Sequence, residues 1–106
     1  MNKKFQVIAL IGSTKFKDYF IRLQKDFTLK GYIVISPCIF SHADPEDEKV
    51  STIEIGKMLD EMCKQRIDMA DFVYVINPNK YVGDNTQMEI DYAKNIGKMI
   101  KYMEDK

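Results

Sequence analysis

One glutamate of this chain, Glu89, stands at a position where a helix would bury an apolar residue. Apolar spacing predicts a helix over residues 85–96, and one row along it contains Thr86, Glu89, Ala93 and Ile96. The residues three and four positions after Glu89 are a tyrosine and an alanine, so the next turn offers no lysine to neutralise the carboxylate. A carboxylate at the edge of a core is a candidate for nucleophilic or acid–base chemistry. The structural alternative is an edge glutamate that pairs with a distant lysine.

A second polar segment with chemical potential is Gly12-Ser13-Thr14, which follows the apolar run 5–11. Glycine allows a close backbone approach, the two hydroxyls can donate hydrogen bonds, and amides at a helix start attract anions. Serine and threonine are also ordinary helix caps, so ligand contact and capping are both open. The chain lacks GxGxxG and GxxxxGK, which argues against a usual dinucleotide site and against an ATPase.

The polar segment that enters the Glu89 helix is the third candidate. Gly83 permits a positive φ angle, and the three residues after it, Asp84, Asn85 and Thr86, can each cap a helix. For Asp84 we weigh capping and ligand binding equally.

Alternating periods along the chain predict the elements that position these residues. Apolar and β-branched runs predict strands over 5–11, 32–36, 72–76 and 98–102, and three- and four-residue spacing predicts helices over 15–30, 52–69 and 85–96. The second helix is expected to turn the following residues inward: Ile55, Met58, Leu59, Met62 and Ile67. The order βαβαβαβ predicts a parallel sheet covered on both faces, with ligands bound outside the carboxyl ends of the strands. The acidic, proline-containing segment 41–49 is a candidate lid.

Composition limits the classes of function. The chain has 106 residues, enough for a single domain over 1–106, and 16 basic and 16 acidic side chains that balance and are scattered. We therefore expect neither a nucleic acid polymer nor a membrane as a partner. Two separated cysteines and one histidine are too few ligands for zinc, so we expect no metal, no cofactor and reduced thiols in a cytoplasmic protein.

Three segments in this order resemble a known family. They are Gly12-Ser13-Thr14, the helix end IDMAD at 67–71 and GDNTQMEIDYA at 83–93. Together they resemble the nucleoside 2-deoxyribosyltransferase-like superfamily, and most closely a small, poorly characterised branch that carries segments similar to LDEM at 59–62. The resemblance covers most of the chain. It implies an α/β fold, a Rossmann/flavodoxin-like three-layer sandwich whose short, mainly parallel sheet has four or five strands.

The resemblance also implies a reaction. Glu89 occupies the place of the family nucleophile, which attacks the anomeric carbon of a 2-deoxyribose, expels the base and forms a glycosyl-enzyme ester. Water or a second base then takes the sugar. Gly12, Ser13, Thr14 and Lys15 match the segment that holds the 5′ end of a nucleoside or cradles the phosphate of a nucleotide. The 83–86 segment would contribute further substrate contacts.

One departure from the family concerns the carboxylate that assists the nucleophile. Better-studied members have an aspartate where this chain has Cys63, and the candidates to replace it are Asp60, one turn earlier, and Asp68. An aspartate at a helix end, such as Asp68, is more often structural. Relatives also build their pockets at subunit contacts, so we expect a homodimer or higher homo-oligomer. The alternatives are a nucleotide-binding or sensing domain without catalysis and a small partner-binding domain.

Overall fold

Four parallel strands form one sheet at the centre of the protein. In the computed structural model, which describes residues 4–37 and 53–104, these strands are β1 (Val7–Gly12), β2 (Ile33–Ile35), β3 (Phe72–Ile76) and β4 (Met99–Tyr102). They lie side by side in the order β2-β1-β3-β4, and every neighbouring pair is parallel. The all-parallel sheet confirms the predicted α/β fold with four strands. The candidate lid at 41–49 lies outside the described residues.

Three helices cover the two faces of this sheet. They are α1 (Lys17–Leu29), α2 (Ile53–Met69) and α3 (Asp84–Asn95). On one face, Phe20 of α1 packs with Ile8 and Leu10 of β1, and on the other Ile67 of α2 and Ile90 of α3 pack against the rest of the core. Because side chains of β1 alternate between the two layers, the strand must be apolar throughout, as its sequence is. This three-layer arrangement is compatible with a Rossmann/flavodoxin-like sandwich.

Two helices differ in detail from the expectation. The helix predicted from residue 15 begins as a 3-10 turn, Thr14–Phe16, and becomes α-helical only at Lys17. On α2 the side chains of Met58 and Met62 are 51% and 42% exposed, so their predicted inward orientation is wrong. The reason is that α2 contacts the sheet near its last turn, where Ile67 is fully buried.

The two central strands approach each other most closely where they end. A Cβ atom on Gly12, the last residue of β1, would lie 2.8 Å from the carbonyl oxygen of Ile76, the last residue of β3, so only glycine fits there. The chain continues from β1 to β2, which lies on one side of β1, and then crosses to β3, which lies on the other side of β1. The carboxyl ends of β1 and β3 therefore flank the switch point, where sheets of this type bind ligands.

The segment after β4 is attached to the end of β3 by a buried asparagine. Asn77 is 1% exposed, its Nδ2 donates to the carbonyl of Glu104 at 3.1 Å, and its Oδ1 accepts from the Glu104 amide at 2.8 Å. The Glu104 carboxylate in turn accepts from the amide of Asn79.

None of the helices within residues 4–37 and 53–104 is long and apolar enough to cross a membrane.

Candidate active site

Glu89 lies in the second turn of α3 on the side that faces α2. Its neighbours Ile90 and Ala93 are fully buried, whereas Glu89 is partly buried, so its carboxyl sits at the border of the apolar layer. Thr86, one turn earlier, is 3% exposed, but Ile96 at the end of the predicted row is 42% exposed. The predicted apolar row is therefore correct around Glu89 and ends before Ile96.

The surroundings of Glu89 act on the pKa of its carboxyl in opposite directions. Burial raises the pKa of Glu89 from 4.5 to about 7; the Arg66 guanidinium opposes this shift, and the Asp60 carboxylate adds to it. Both neighbours belong to α2. The carboxyl therefore titrates nearer to neutral pH than an ordinary glutamate does, which suits a group that must gain and lose a proton or a covalent partner.

Cys63, which also belongs to α2, lies near these charged groups. Its Sγ accepts a hydrogen bond from the Arg66 guanidinium at 2.9 Å. Burial raises the pKa of the Cys63 thiol, and the nearby carboxylates of Glu89 and Asp60 raise it further, while Arg66 lowers it. We call Glu89, Asp60, Cys63 and Arg66 the α2–α3 cluster. Cys63, the position compared with an aspartate of the resembled superfamily, thus lies near Glu89 and carries a thiol.

Of the two proposed assisting carboxylates, only Asp60 belongs to this cluster. Asp68 lies in the last turn of α2, near the amino end of β3, where its Oδ1 accepts from the Tyr92 hydroxyl at 2.6 Å. Lys98 closes the same region by donating to the backbone carbonyls of Asp68 and Ala70 at 3.1 Å and 2.5 Å. These bonds join α2, α3 and the segment before β4, and they favour the structural interpretation of Asp68.

The loop after β1 presents a hydroxyl and a cation beside the switch point. Ser13 is the N-cap of the 3-10 turn, and its Oγ accepts from the Lys15 amide at 3.4 Å. Thr14 and Lys15 are exposed. The capping role considered for Ser13 is present, and the long, exposed geometry of this bond leaves the hydroxyl accessible to a ligand.

An aromatic residue that sequence analysis did not assign to the site completes this loop. The Lys15 ammonium lies 3.5 Å from the ring centroid of Tyr81, and the Phe16 ring meets the Tyr81 ring edge to face at 5.7 Å. We call Lys15, Phe16 and Tyr81 the Lys15 cluster. Its members come from the loops that follow β1 and β3, so the contact unites the two sides of the switch point.

The loop that enters α3 uses neither the positive φ angle that Gly83 permits nor a cap from the Asp84 side chain. Gly83 has φ −76°, not a positive value, and it is the N-cap residue, with no side-chain capping bond. Asp84 is exposed in the first turn, so the proposed capping role of its side chain is wrong. Asn85 is also exposed, whereas Thr86 is buried. Asp84 and Asn85 are therefore available for contacts outside the helix, and Thr86 is part of the core.

Within residues 4–37 and 53–104, no group of three or more histidine, cysteine or acidic side chains is arranged to hold a metal ion. A shallow depression on the outer face of α1, between Ile21 and Leu29, lies away from both clusters and brings together no acid–base pair.

No protein-family model matches the chain, and no curated protein matches it either. The chemistry of the two clusters must therefore support any functional assignment.

Proposed function

We propose that this protein cleaves the N-glycosidic bond of a 2-deoxynucleoside or its 5′-phosphate, or transfers the 2-deoxyribosyl group, with Glu89 as the nucleophile. One observation carries the proposal: a partly buried glutamate on α3 is close enough to an arginine and a second carboxylate of α2 for both charges to act on it, on the sheet face that these two helices cover. Neither helix packing nor helix capping requires an acid at this position.

The reaction follows from the chemistry of the carboxylate. An ionised Glu89 oxygen attacks the anomeric carbon, the bond from that carbon to the base nitrogen breaks, and its electron pair leaves with the base, which takes up a proton. Water or a second base then displaces the ester and restores the carboxylate. The transition state carries positive charge on the sugar, and a carboxylate in partly apolar surroundings attracts that charge more strongly than one in water. The base takes its proton from water, and the Asp60 carboxylate adds its negative charge to this attraction.

The Lys15 cluster supplies a second subsite. The Ser13 hydroxyl and the exposed Lys15 ammonium stand beside the carboxyl end of β1, where the 5′ end of the substrate would bind. Ammonium and hydroxyl groups are suitable partners for a phosphate. Asp84 and Asn85 are exposed at the start of α3 and could contact the sugar or base.

A base-release assay tests the catalytic proposal. Common 2-deoxynucleosides and their 5′-monophosphates are incubated with the protein, with and without an acceptor base, and free base is measured by chromatography. We expect release from at least one substrate, and a loss of at least about a thousandfold in rate for Glu89→Ala, because the nucleophile is removed.

A matched variant controls for general effects of losing an acid. Glu61→Gln removes an exposed carboxylate from α2 and should leave the rate unchanged within about twofold. Absence of base release from every substrate, or full activity of Glu89→Ala, would contradict the proposal.

A nucleotide-binding or sensing domain is the second candidate. The Lys15 cluster favours it, because this cluster can hold an anionic ligand without participation of Glu89. The same Glu89→Ala variant separates the two candidates: a binding domain shows no base release before the substitution and unchanged ligand affinity after it. Cys63 is a free thiol, consistent with the cytoplasmic setting that we propose for either function.

A further inference from the structure

Tyr81 makes contacts that neither core packing nor the proposed chemistry of Glu89 explains. Its side chain is 44% exposed, yet its ring centroid lies 3.5 Å from the Lys15 ammonium, and the ring meets Phe16 in an edge-to-face contact. Its hydroxyl lies 3.5 Å from the point where a Cβ on Gly83 would stand, directly over the N-cap of α3. The ring therefore spans the distance between the loop after β1 and the start of α3.

The backbone before Tyr81 is held in an unusual conformation that directs this side chain. Asn79 and Lys80 have positive φ angles of 55° and 63°, which are uncommon for residues with a Cβ and cost free energy at each position. The bonds from Asn77 and Asn79 to Glu104 stabilise this conformation. Strained backbone next to a ligand-binding edge is a recurring feature of functional loops.

The contact with Tyr81 leaves Lys15 able to bind an anion. An ammonium on a ring face keeps its charge, and the N–H groups that point away from the ring remain free to donate. A lysine held in this way loses less side-chain entropy when a ligand binds than a freely rotating one. This smaller entropy loss strengthens the binding only of ligands that contact the Lys15 ammonium.

We propose that Tyr81 determines substrate specificity: by positioning the Lys15 ammonium at the switch point, it makes the protein prefer 2-deoxynucleoside 5′-monophosphates to the unphosphorylated nucleosides. The proposal rests on the proposed function for the identity of the ligand. Tyr81 is a positioning residue in this scheme, because it acts through Lys15 and does not touch the reacting atoms.

Calorimetric titration of paired ligands tests the proposal. Each common 2-deoxynucleoside 5′-monophosphate and its nucleoside are titrated into the unmodified protein and into Tyr81→Leu, Tyr81→Phe and Lys15→Met. We expect Tyr81→Leu to weaken monophosphate binding by about three- to tenfold and to leave nucleoside binding unchanged. Tyr81→Phe keeps the ring and should bind as the unmodified protein does.

The double variant Tyr81→Leu/Lys15→Met closes a mutant cycle. Once Lys15 is replaced, loss of the ring should have no further effect on monophosphate binding. The proposal is overturned by equal weakening of nucleoside and monophosphate in Tyr81→Leu, by an effect that persists without Lys15, or by an unmodified protein that binds neither ligand or shows no preference. Tyr81→Met serves as a second substitution of similar size if Tyr81→Leu unfolds, as monitored by circular dichroism.

The binding test of Tyr81 and the base-release test of Glu89 can each succeed or fail without the other. If no base is released but monophosphates bind in a Tyr81-dependent way, the glycosidase proposal fails and the specificity proposal stands. If base is released equally well from nucleosides and monophosphates in every Tyr81 variant, the catalytic proposal stands and the role of Tyr81 is wrong.

Discussion

At the scale of single residues, the burial of Glu89 has a measurable cost in stability. Its pKa in the folded protein is about 7, above its ordinary value of 4.5, so the folded state retains a proton that the unfolded chain releases between these values. The stabilisation that this bound proton gives to the folded state is therefore fully present below pH 4.5 and is lost as the pH rises through 7. We predict that Glu89→Gln raises the free energy of unfolding at pH 8 by on the order of 2 kcal/mol and has little effect at pH 5.

Urea denaturation of both proteins at the two pH values measures this difference. Glu61→Gln, which replaces an exposed glutamate on α2, is the control and should give the same small change at both values. A Glu89→Gln protein that is less stable than the unmodified one at pH 8 would show that the ionised carboxylate is a structural partner of Arg66. A more stable but inactive variant is typical of a catalytic residue whose position is unfavourable for folding.

The charges around Glu89 predict opposite shifts in the pH dependence of activity. The nucleophile must be ionised, so kcat/KM for base release should rise with pH around a midpoint near 7. Arg66→Met removes the charge that lowers the Glu89 pKa, and Asp60→Asn removes a charge that raises it. We expect the midpoint to move up in Arg66→Met and down in Asp60→Asn, each by roughly 0.5 to 1 pH unit.

Carbon-13 NMR titration of the Glu89 carboxyl follows the same pKa without relying on activity. Glu61→Gln should move neither the kinetic midpoint nor the NMR titration. Shifts of Arg66→Met and Asp60→Asn in the same direction would be inconsistent with the electrostatic arrangement of the α2–α3 cluster.

At the scale of elements, the sequence predicts best those helix and strand bounds that depend on interactions within the segment itself. The bounds of β3 at residues 72–76 match the prediction, α2 ends at Met69 as predicted, and α3 begins and ends one residue earlier than predicted, because their apolar periods are strong and their ends carry clear signals. β1 begins two residues later than predicted, at Val7, and Phe5 is 47% exposed. The reason is that its ladders begin at Val7 and Ile8, a matter of pairing with other strands that the sequence of β1 does not contain.

The contact between β1 and β3 gives a prediction at this scale. Gly12→Ala places a Cβ 2.8 Å from the Ile76 carbonyl oxygen, at a backbone φ of 155°, and should reduce the free energy of unfolding by about 1–3 kcal/mol as the strands separate. Gly56→Ala is the matched control: this glycine lies within α2, and no atom of residues 4–37 and 53–104 would lie within 4 Å of its added Cβ, so alanine should stabilise by about 0.5–1 kcal/mol. Guanidinium denaturation compares the variants. Equal stability of Gly12→Ala and the unmodified protein would mean that the strand ends are not in close contact.

At the scale of the whole molecule, the fold creates the site by joining residues that are distant in sequence. Glu89 could be singled out from its own helix, but Arg66 could not, because its relation to Glu89 depends on the packing of α2 beside α3 on one sheet face. Lys15 and Tyr81 likewise follow different strands and meet only because β1 and β3 are neighbours in the sheet. The exposure of Met58 and Met62 was missed for a related reason: helical spacing defines an apolar face but does not say whether the chain itself covers it.

That exposed face of α2 leads to a prediction about assembly. Met58 and Met62 lie on the helix that also carries Asp60 and Cys63, and β2 and β4 are the outer strands of the sheet within residues 4–37 and 53–104. We expect a homodimer or higher homo-oligomer that covers this face, since apolar side chains beside an open site are a common subunit contact. Met62→Glu should shift the assembly toward the monomer, as measured by light scattering coupled to gel filtration. Ile21→Glu places the same charge on α1, on the opposite side of the sheet, and should leave the mass unchanged. A monomeric mass for the unmodified protein at high micromolar concentration, or dissociation by Ile21→Glu alone, would show that the α2 face is not the subunit contact.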